Sequence, residues 1–174
     1  QNLTKMKLKI LVGALLVASI GFSQTNYNNQ VSSGDNLLNN VNSGVSIGGY
    51  GQIDYNQPEG VNGELDVHRM VLLFAYRFND KVQFLTEIEF EHVKEVYIEQ
   101  AYLNYSISDN VSLRGGLMLV PMGIVNEIHE PTTFNGVERP SMDKSIVPTT
   151  WREIGIGING KVDNANLKYQ AYLF

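Results

Sequence analysis

From Val45 onward the chain is written in segments of roughly ten residues that alternate apolar and polar side chains, with small polar turns between them. The clearest is Val82 to Glu91. Val82, Phe84, Thr86, Ile88 and Phe90 fall on one side, and Gln83, Leu85, Glu87, Glu89 and Glu91 on the other. Successive side chains of a strand face opposite ways, so the segment writes an apolar wall and a carboxylate wall. A helix would set Glu87 and Glu91 beside apolar residues and break its stripe. Repeated along the chain, this pattern predicts an all-β fold, an antiparallel transmembrane β-barrel with lipid on one face and water on the other. A secreted or periplasmic β-sandwich shares the alternation and is the soluble alternative.

The 174 residues are 43% hydrophobic and 18% charged. After the first 23 residues no stretch approaches the roughly 18 consecutive apolar residues of a spanning helix. The absence of cysteine excludes disulfides, thiolate metal sites and thiol nucleophiles. The formal charge is −5. An acidic chain with no basic cluster argues against nucleic acid as a partner.

Met6-Lys7-Leu8-Lys9 precedes the short apolar run Ile10 to Phe22, with Gly21 and Ser23 at cleavage-site positions. Residues 6–23 therefore read as a secretory signal peptide. Export together with alternating strands predicts the bacterial outer membrane. Residues 24–44 are rich in Asn, Ser and Gln and read as a flexible periplasmic leader, with Leu37, Leu38 and Val41 able to form one helical turn.

Residues 45–174 hold the predicted barrel strands, Val45–Tyr55, Asp66–Phe78, Val82–Glu91, Glu95–Ile107, Val111–Leu119, Trp151–Val162 and a last one from Leu167. The turns at Asn79, Ser108 and Asp163 are short and share one end, the periplasmic one. The connections at Asn56 and Val120 are long and share the other, and His92-Val93-Lys94 is a short exception there. Bacterial barrels have at least about eight strands and an even number, so these seven read as the N-terminal part of a larger barrel. Phe174 with Tyr172 imitates an aromatic C-terminal ending, a reading the even-strand rule opposes.

The alternation turns Arg69, Arg77, Glu87, Glu89, Gln100, Asn104 and Arg114 inward, where they would line a pore. Val71, Leu73 and Ala75 turn inward too, an apolar patch on a wall expected to be polar. Residues 120–150 carry Pro121, Pro131, Pro140 and Pro148 and a dense set of charges: Glu127, Glu130, Glu138, Arg139, Asp143 and Lys144. A loop of that length without regular structure is usually functional. Folded inward it would narrow a lumen and set its selectivity; the alternative is a lid over the barrel mouth.

Other constellations carry less. Gly155 to Gly160 matches G-x-G-x-x-G, but lies inside a predicted strand that ends in a turn, not before a helix. The carboxylates Glu87, Glu89, Glu91, Glu95 and Glu99 could hold Ca²⁺, or simply face lumen water, which such walls require. His68, His92 and His129 are scattered over different elements and lack zinc spacing. No catalytic residue, metal or cofactor is predicted, and the chain does not read as an enzyme.

Gly116-Leu-Met-Leu-Val-Pro121-Met-Gly123, Gly136-Val-Glu-Arg139-Pro140 and Arg152-Glu-Ile-Gly155-Ile-Gly157 together resemble the phosphate-selective porin O/P family of outer-membrane porins. Asn126-Glu127-Ile-His129-Glu130-Pro131 and Val147-Pro-Thr-Thr-Trp-Arg-Glu153 are similar to its Bacteroidetes-type branch. The resemblance covers Val45 to Phe174, the first half or less of a typical member. It implies a barrel of about sixteen strands, usually a homotrimer, with an inward loop and anion-binding lysines and arginines. Leu119 stands where the family pattern has its lysine. The expected function is passive diffusion of small hydrophilic or ionic solutes, anions such as phosphate among them. The rival is a non-conducting barrel that binds a ligand or partner at its surface.

Overall fold

The computed structural model describes residues 31–123, 125–148 and 150–174. The signal-peptide reading and the first part of the leader lie outside them. A short helix, α1 (Ser33–Asn40), precedes seven strands: β1 (Gly44–Asn56), β2 (Glu64–Arg77), β3 (Val82–Glu91), β4 (Glu95–Ser108), β5 (Val111–Leu119), β6 (Arg152–Val162) and β7 (Leu167–Leu173). Between β5 and β6 stand a 3-10 turn, Pro131–Thr133, and a second helix, α2 (Ser141–Ile146). The 120–150 segment thus has two pieces of regular structure where the sequence predicts none.

The strands form one antiparallel meander in chain order, β1-β2-β3-β4-β5-β6-β7, which stays open, with β1 and β7 as its edges. The turns explain the short connections. Asn79 Oδ1 accepts from the backbone N–H of Lys81 and Val82, both at 2.9 Å, closing β2 onto β3. Asn166 adopts a left-handed conformation (φ 46°) after the 3-10 turn Asp163–Ala165 and starts β7. Gly116 has φ +138°, and a Cβ there would lie 2.3 Å from the Ala101 carbonyl oxygen, so β4 and β5 can approach only over a glycine.

The faces follow the alternation. Along β1, Val45, Ile47, Ile53 and Tyr55 are exposed, while Gln52 and Asp54 are buried. On β2 and β3 the buried set is Arg69, Val71, Leu73, Ala75, Gln83, Leu85, Glu87 and Glu89. Ile154, Ile156 and Ile158 stand on the outer face. Leu119 departs from the pattern: the alternation of β5 turns it outward with Leu113 and Leu117, yet it is buried where the chain leaves the strand for the long segment.

Three register shifts interrupt the ladders; one lies at Ile107 of β4 beside the short turn, and the other two re-aim inward side chains. In the β3–β4 ladder Glu87 pairs with Gln100 but Ile88 pairs with Ile98, so Glu99 is an extra residue on β4. In the β1–β2 ladder Gln52 pairs with Arg69 but Asp54 pairs with Asp66, so β2 carries the extra residue. Such bulges re-aim side chains. The first buries Glu99 next to Gln100 on the same face. The second leaves His68 beside Arg69, in contact with Asp54 of the inner wall.

The apolar inner patch has a cover. Helix α1 packs its Leu38 and Val41 into a cluster with Ala75, Leu85, Tyr102 and Met118, and Leu37 lies against it. Where the sequence reads a flexible leader with at most one turn, Ser33–Asn40 forms two turns docked on the sheet. Ser32 caps the helix, its Oγ accepting from Asp35 N at 3.1 Å. At eight residues the helix is too short to stand alone in water, so its stability comes from this docking. Leu38, 3% exposed, is the side chain that anchors it. Leu38→Ala should cost about 2–5 kcal/mol, read as a lowered urea midpoint of the folded protein; an unchanged midpoint would refute the docking.

Candidate functional site

The inner face at the long-loop end of the sheet holds a connected polar network. Gln52 Nε2 donates to Asp54 Oδ2 at 2.8 Å, and Arg69 Nε donates to Gln52 Oε1 at 2.8 Å. Arg69 Nη1 then reaches Glu89 Oε1 at 3.1 Å. The Glu89 carboxyl adjoins that of Glu99, and Glu99 Oε2 lies 3.1 Å from His129 Nε2. Gln100 Nε2 donates to Glu87 Oε2 at 2.7 Å. Arg69, Glu89, Glu99 and His129 are all buried, and buried charges persist only when paired in this way.

His129 comes from the long segment. Its Nδ1 lies 3.1 Å from the carbonyl oxygen of Asn126, so both ring nitrogens face acceptors and only a doubly protonated ring donates to both. Asn126 itself is a staple. It donates to the Val120 and Trp151 carbonyls at 2.6 and 2.9 Å and accepts from Trp151 N at 2.8 Å, pinning the two ends of the segment together. Residues 126–130 are thereby seated on the inner face of the sheet.

The same segment meets α1. The Glu130 carboxylate accepts from Ser33 Oγ at 2.9 Å and from Ser33 N, in the first turn of the helix, where an anion is favoured. At the other end of α1, Gln83 Nε2 donates to the Leu38 carbonyl at 2.8 Å and Arg77 Nε to the Val41 carbonyl at 2.6 Å. Asp35 pairs with Arg114 Nη2 at 3.1 Å, and the Arg114 guanidinium stacks on the Tyr102 ring, 4.4 Å from its centroid.

All seven predicted pore-lining side chains therefore lie on the inner face. Arg69 and Glu89 join the network, with the Glu87–Gln100 pair beside it; Arg77, Arg114 and Asn104 lie nearer the short turns, around α1. The predicted loop charges scatter more widely. Glu130 holds α1. Glu127 accepts from Gln170 of β7 at 2.9 and 3.0 Å, and burial raises its carboxyl above the ordinary range despite that bond. Glu138 accepts from Asn56 Nδ2 at 2.9 Å, and Arg139 donates to Thr150 Oγ1 and the Val125 carbonyl, both at 3.2 Å. Asp143 and Lys144 stand in α2.

Three groups escape the sequence reading. His129 and Asn126 are one: their partners lie 30 and 25 residues away along the chain, beyond any local signal. Glu99 owes its inward position to the bulge, which a shift of the apolar positions announces (Val96 and Ile98 before it, Ala101, Leu103 and Tyr105 after it). The third corrects the picture of scattered histidines. His68 and His92 meet with ring centroids 5.1 Å apart. His92 Nδ1 lies 2.9 Å from Asp66 Oδ2, and His68 Nδ1 lies 3.1 Å from Asp54 Oδ2. His92 and Val93 both have positive φ, 47° and 67°, an unusual conformation for a β-branched residue. Among the described residues no group of three or more His, Asp or Glu side chains is arranged to hold a metal ion.

No family model matches the chain, and no solved structure matches it. It is similar to a curated protein of Aquifex aeolicus (strain VF5) described as an uncharacterized protein, 46% identical over 143 residues. That match covers 76% of this chain and 32% of the relative, so the chain spans about a third of the relative's length.

Two predictions follow from the geometry. Arg69→Met leaves the buried Glu89 carboxyl without its partner and should cost about 3–5 kcal/mol of stability, much of it recovered in Arg69→Met/Glu89→Leu. Equal losses in the single and double variants, measured by urea unfolding, would show that the pair is not coupled. The Asp66 hydrogen bond raises the pKa of the exposed His92 ring. A raised folded value means the contact stabilises fully below the unfolded histidine pKa of about 6.5 and is lost as pH rises through the raised one. An NMR titration of the His92 ring should midpoint above that of the Asp66→Asn variant; coincident midpoints would refute the pairing.

Proposed function

We propose that this chain is the N-terminal part of an outer-membrane β-barrel porin, which lets small hydrophilic or ionic solutes diffuse passively through a polar lumen. One observation carries the reading: the polarity of the sheet is inverted relative to a protein dissolved in water. Ile154, Leu65 and Ile53 are 77%, 71% and 67% exposed, whereas Glu89 and Glu99 are each 1% exposed on the other face. A continuous apolar outer face over seven strands fits a lipid solvent, and the soluble sandwich would have to bury it.

Other features support the reading. Within hydrocarbon every backbone group must be paired, and an up-and-down meander meets that need once further strands join β1 and β7. The curated relative is long enough to supply them. Short turns at Asn79, Ser108 and Asp163 share one end of the sheet and the long connection 120–150 leaves from the other, the asymmetry of outer-membrane barrels. The resemblance to the phosphate-selective porin O/P family points the same way and implies a trimer of larger barrels. Under this reading the protein makes and breaks no bonds, needs no cofactor, and partners with outer-membrane lipid and with its solutes.

One observation favours the rival, a non-conducting barrel: α1 and residues 126–130 together occupy much of the inner face. Planar-bilayer recordings of the full-length protein separate the two. The porin reading expects stable ohmic steps, and deletion of residues 31–41 should enlarge them by removing α1 from the lumen. A folded, heat-modifiable barrel without conductance, before and after that deletion, would favour the surface-binding reading.

A further inference from the structure

The turn between β3 and β4 is held in an unusual way. His92 and Val93 both take left-handed backbone, φ 47° and 67°. A two-residue hairpin turn needs that geometry and normally uses Asn-Gly for it, because a β-branched residue is strained there. Val93 is 80% exposed, so packing of its own side chain does not hold it. Two backbone bonds close the turn: Lys94 N donates to the Glu91 carbonyl and His92 N to the His68 carbonyl, both at 3.0 Å. The side-chain contact is ionic, with His92 Nδ1 2.9 Å from Asp66 Oδ2.

That contact belongs to a row of four titratable groups drawn from β1, β2 and the turn. The β1–β2 bulge sets Asp54 directly opposite Asp66, an arrangement that repels while both are ionised. His68 Nδ1 lies between them, 3.1 Å from Asp54 Oδ2 and 3.6 Å from Asp66 Oδ2, and the His92 ring adjoins the His68 ring. Two carboxylates and two imidazoles balance only when both rings carry their second proton. We propose that Asp54, His68, Asp66 and His92 form a proton-operated clasp, which holds the β3–β4 turn in its left-handed form and lets it relax when the rings lose that proton. The other charges around the turn do not replace the imidazoles. Lys94 is exposed, and Arg69 is turned to Gln52 and Glu89. The Asp66 hydrogen bond, and behind it the charges of Glu91 on β3 and Glu95 on β4, outweigh burial and raise the His92 pKa. The clasp is therefore closed below about pH 6.5, the unfolded histidine value, and opens as pH rises through the raised one. It stands at the long-loop end of the sheet and does not rest on the pore reading.

Hydrogen exchange of the His92 and Lys94 amides in the folded full-length protein tests the clasp, each rate being divided by that of an unstructured peptide at the same pH. Protection should fall about two- to fivefold from about pH 5 to about pH 9, the range set by one exposed ion pair. Asp66→Asn should hold it at the low value throughout. His92→Asn keeps a residue that tolerates the left-handed region and removes the proton, so its protection should not change with pH. Val93→Gly relieves the strain and should keep the turn closed at both ends of the range. The Phe78 amide, which donates to the Val82 carbonyl at 2.9 Å in the β2–β3 turn, has no histidine beside it in sequence and should show no such fall. Protection indifferent to pH in the unaltered protein would overturn the clasp, as would a pH dependence that survives Asp66→Asn or His92→Asn. So would an undiminished dependence in Val93→Gly, or an equal fall at Phe78.

Discussion

One extra residue in β4 and one in β2 decide which side chains meet on the inner face. Strand alternation is strict, so a slip of one residue exchanges the two faces of everything beyond it. Val96 and Ile98 face outward at one parity, and Ala101, Leu103 and Tyr105 face outward at the other. Glu99 absorbs the change by sitting beside Gln100 on the inner side. Without the bulge, either the outer face would present Glu95, Tyr97 and Glu99 at the far end of β4, or the inner face would carry Ala101, Leu103 and Tyr105 along the rest of it. The β2 bulge does the same for His68 and Arg69. Both irregularities lie toward the long-loop end, where the buried carboxylates, Arg69 and His129 converge. The polar network depends on these two bulges; the third register shift, at Ile107 beside the short turn, lies outside it.

The inner face divides into two zones with different physics. Toward the short turns, Leu73, Ala75 and Leu85 present apolar surface that gains by being covered, at roughly 25 cal/mol per Å² buried. Helix α1 supplies the cover and cannot hold its own conformation without it. Near the long loop the wall is ionic, and residues 126–130 supply the partners it needs. Glu130 ties the zones together, because the carboxylate that sits at the first turn of α1 is next but one in sequence to Ile128 and adjacent to His129, which pairs with Glu99. Loosening either the helix or the loop therefore takes a partner from the other.

Much of this was legible in the sequence. The strand boundaries follow from period and turn residues to within about two positions, and the face of nearly every strand residue follows from parity. What lay hidden was long-range. Residues 32–41 look like polar linker because only Leu37, Leu38 and Val41 are available for burial, yet three are enough when the wall opposite is apolar. The signal was present on the other partner: Val71, Leu73 and Ala75 facing a supposedly polar lumen had to be covered by something. His129 and Asn126 gave no comparable sign, since their meaning depends on where β4 and Trp151 come to lie. The pairing of His68 with His92 was concealed by the β2 bulge and the left-handed turn at His92-Val93.

Under the proposed pore reading, the arginines bear on its selectivity. A track for anions needs guanidinium or ammonium groups that face the lumen without local compensation. Arg69 is paired with Glu89 and Arg114 with Asp35, and Arg77 is held by the Val41 carbonyl just beyond α1, which fixes its position without cancelling its charge. Each is positioned by the contact that neutralises or occupies it, so within these seven strands the inward cations act as fasteners for the wall, the loop and the helix. The chain as a whole has 18 acidic side chains against 13 basic ones, which leaves no surplus of positive charge to assign to a lumen. Under the proposed pore reading, an anion-selective filter would have to draw its charge mostly from outside these seven strands, whose inner wall holds Arg69 and Arg114 in ion pairs and Arg77 against a carbonyl.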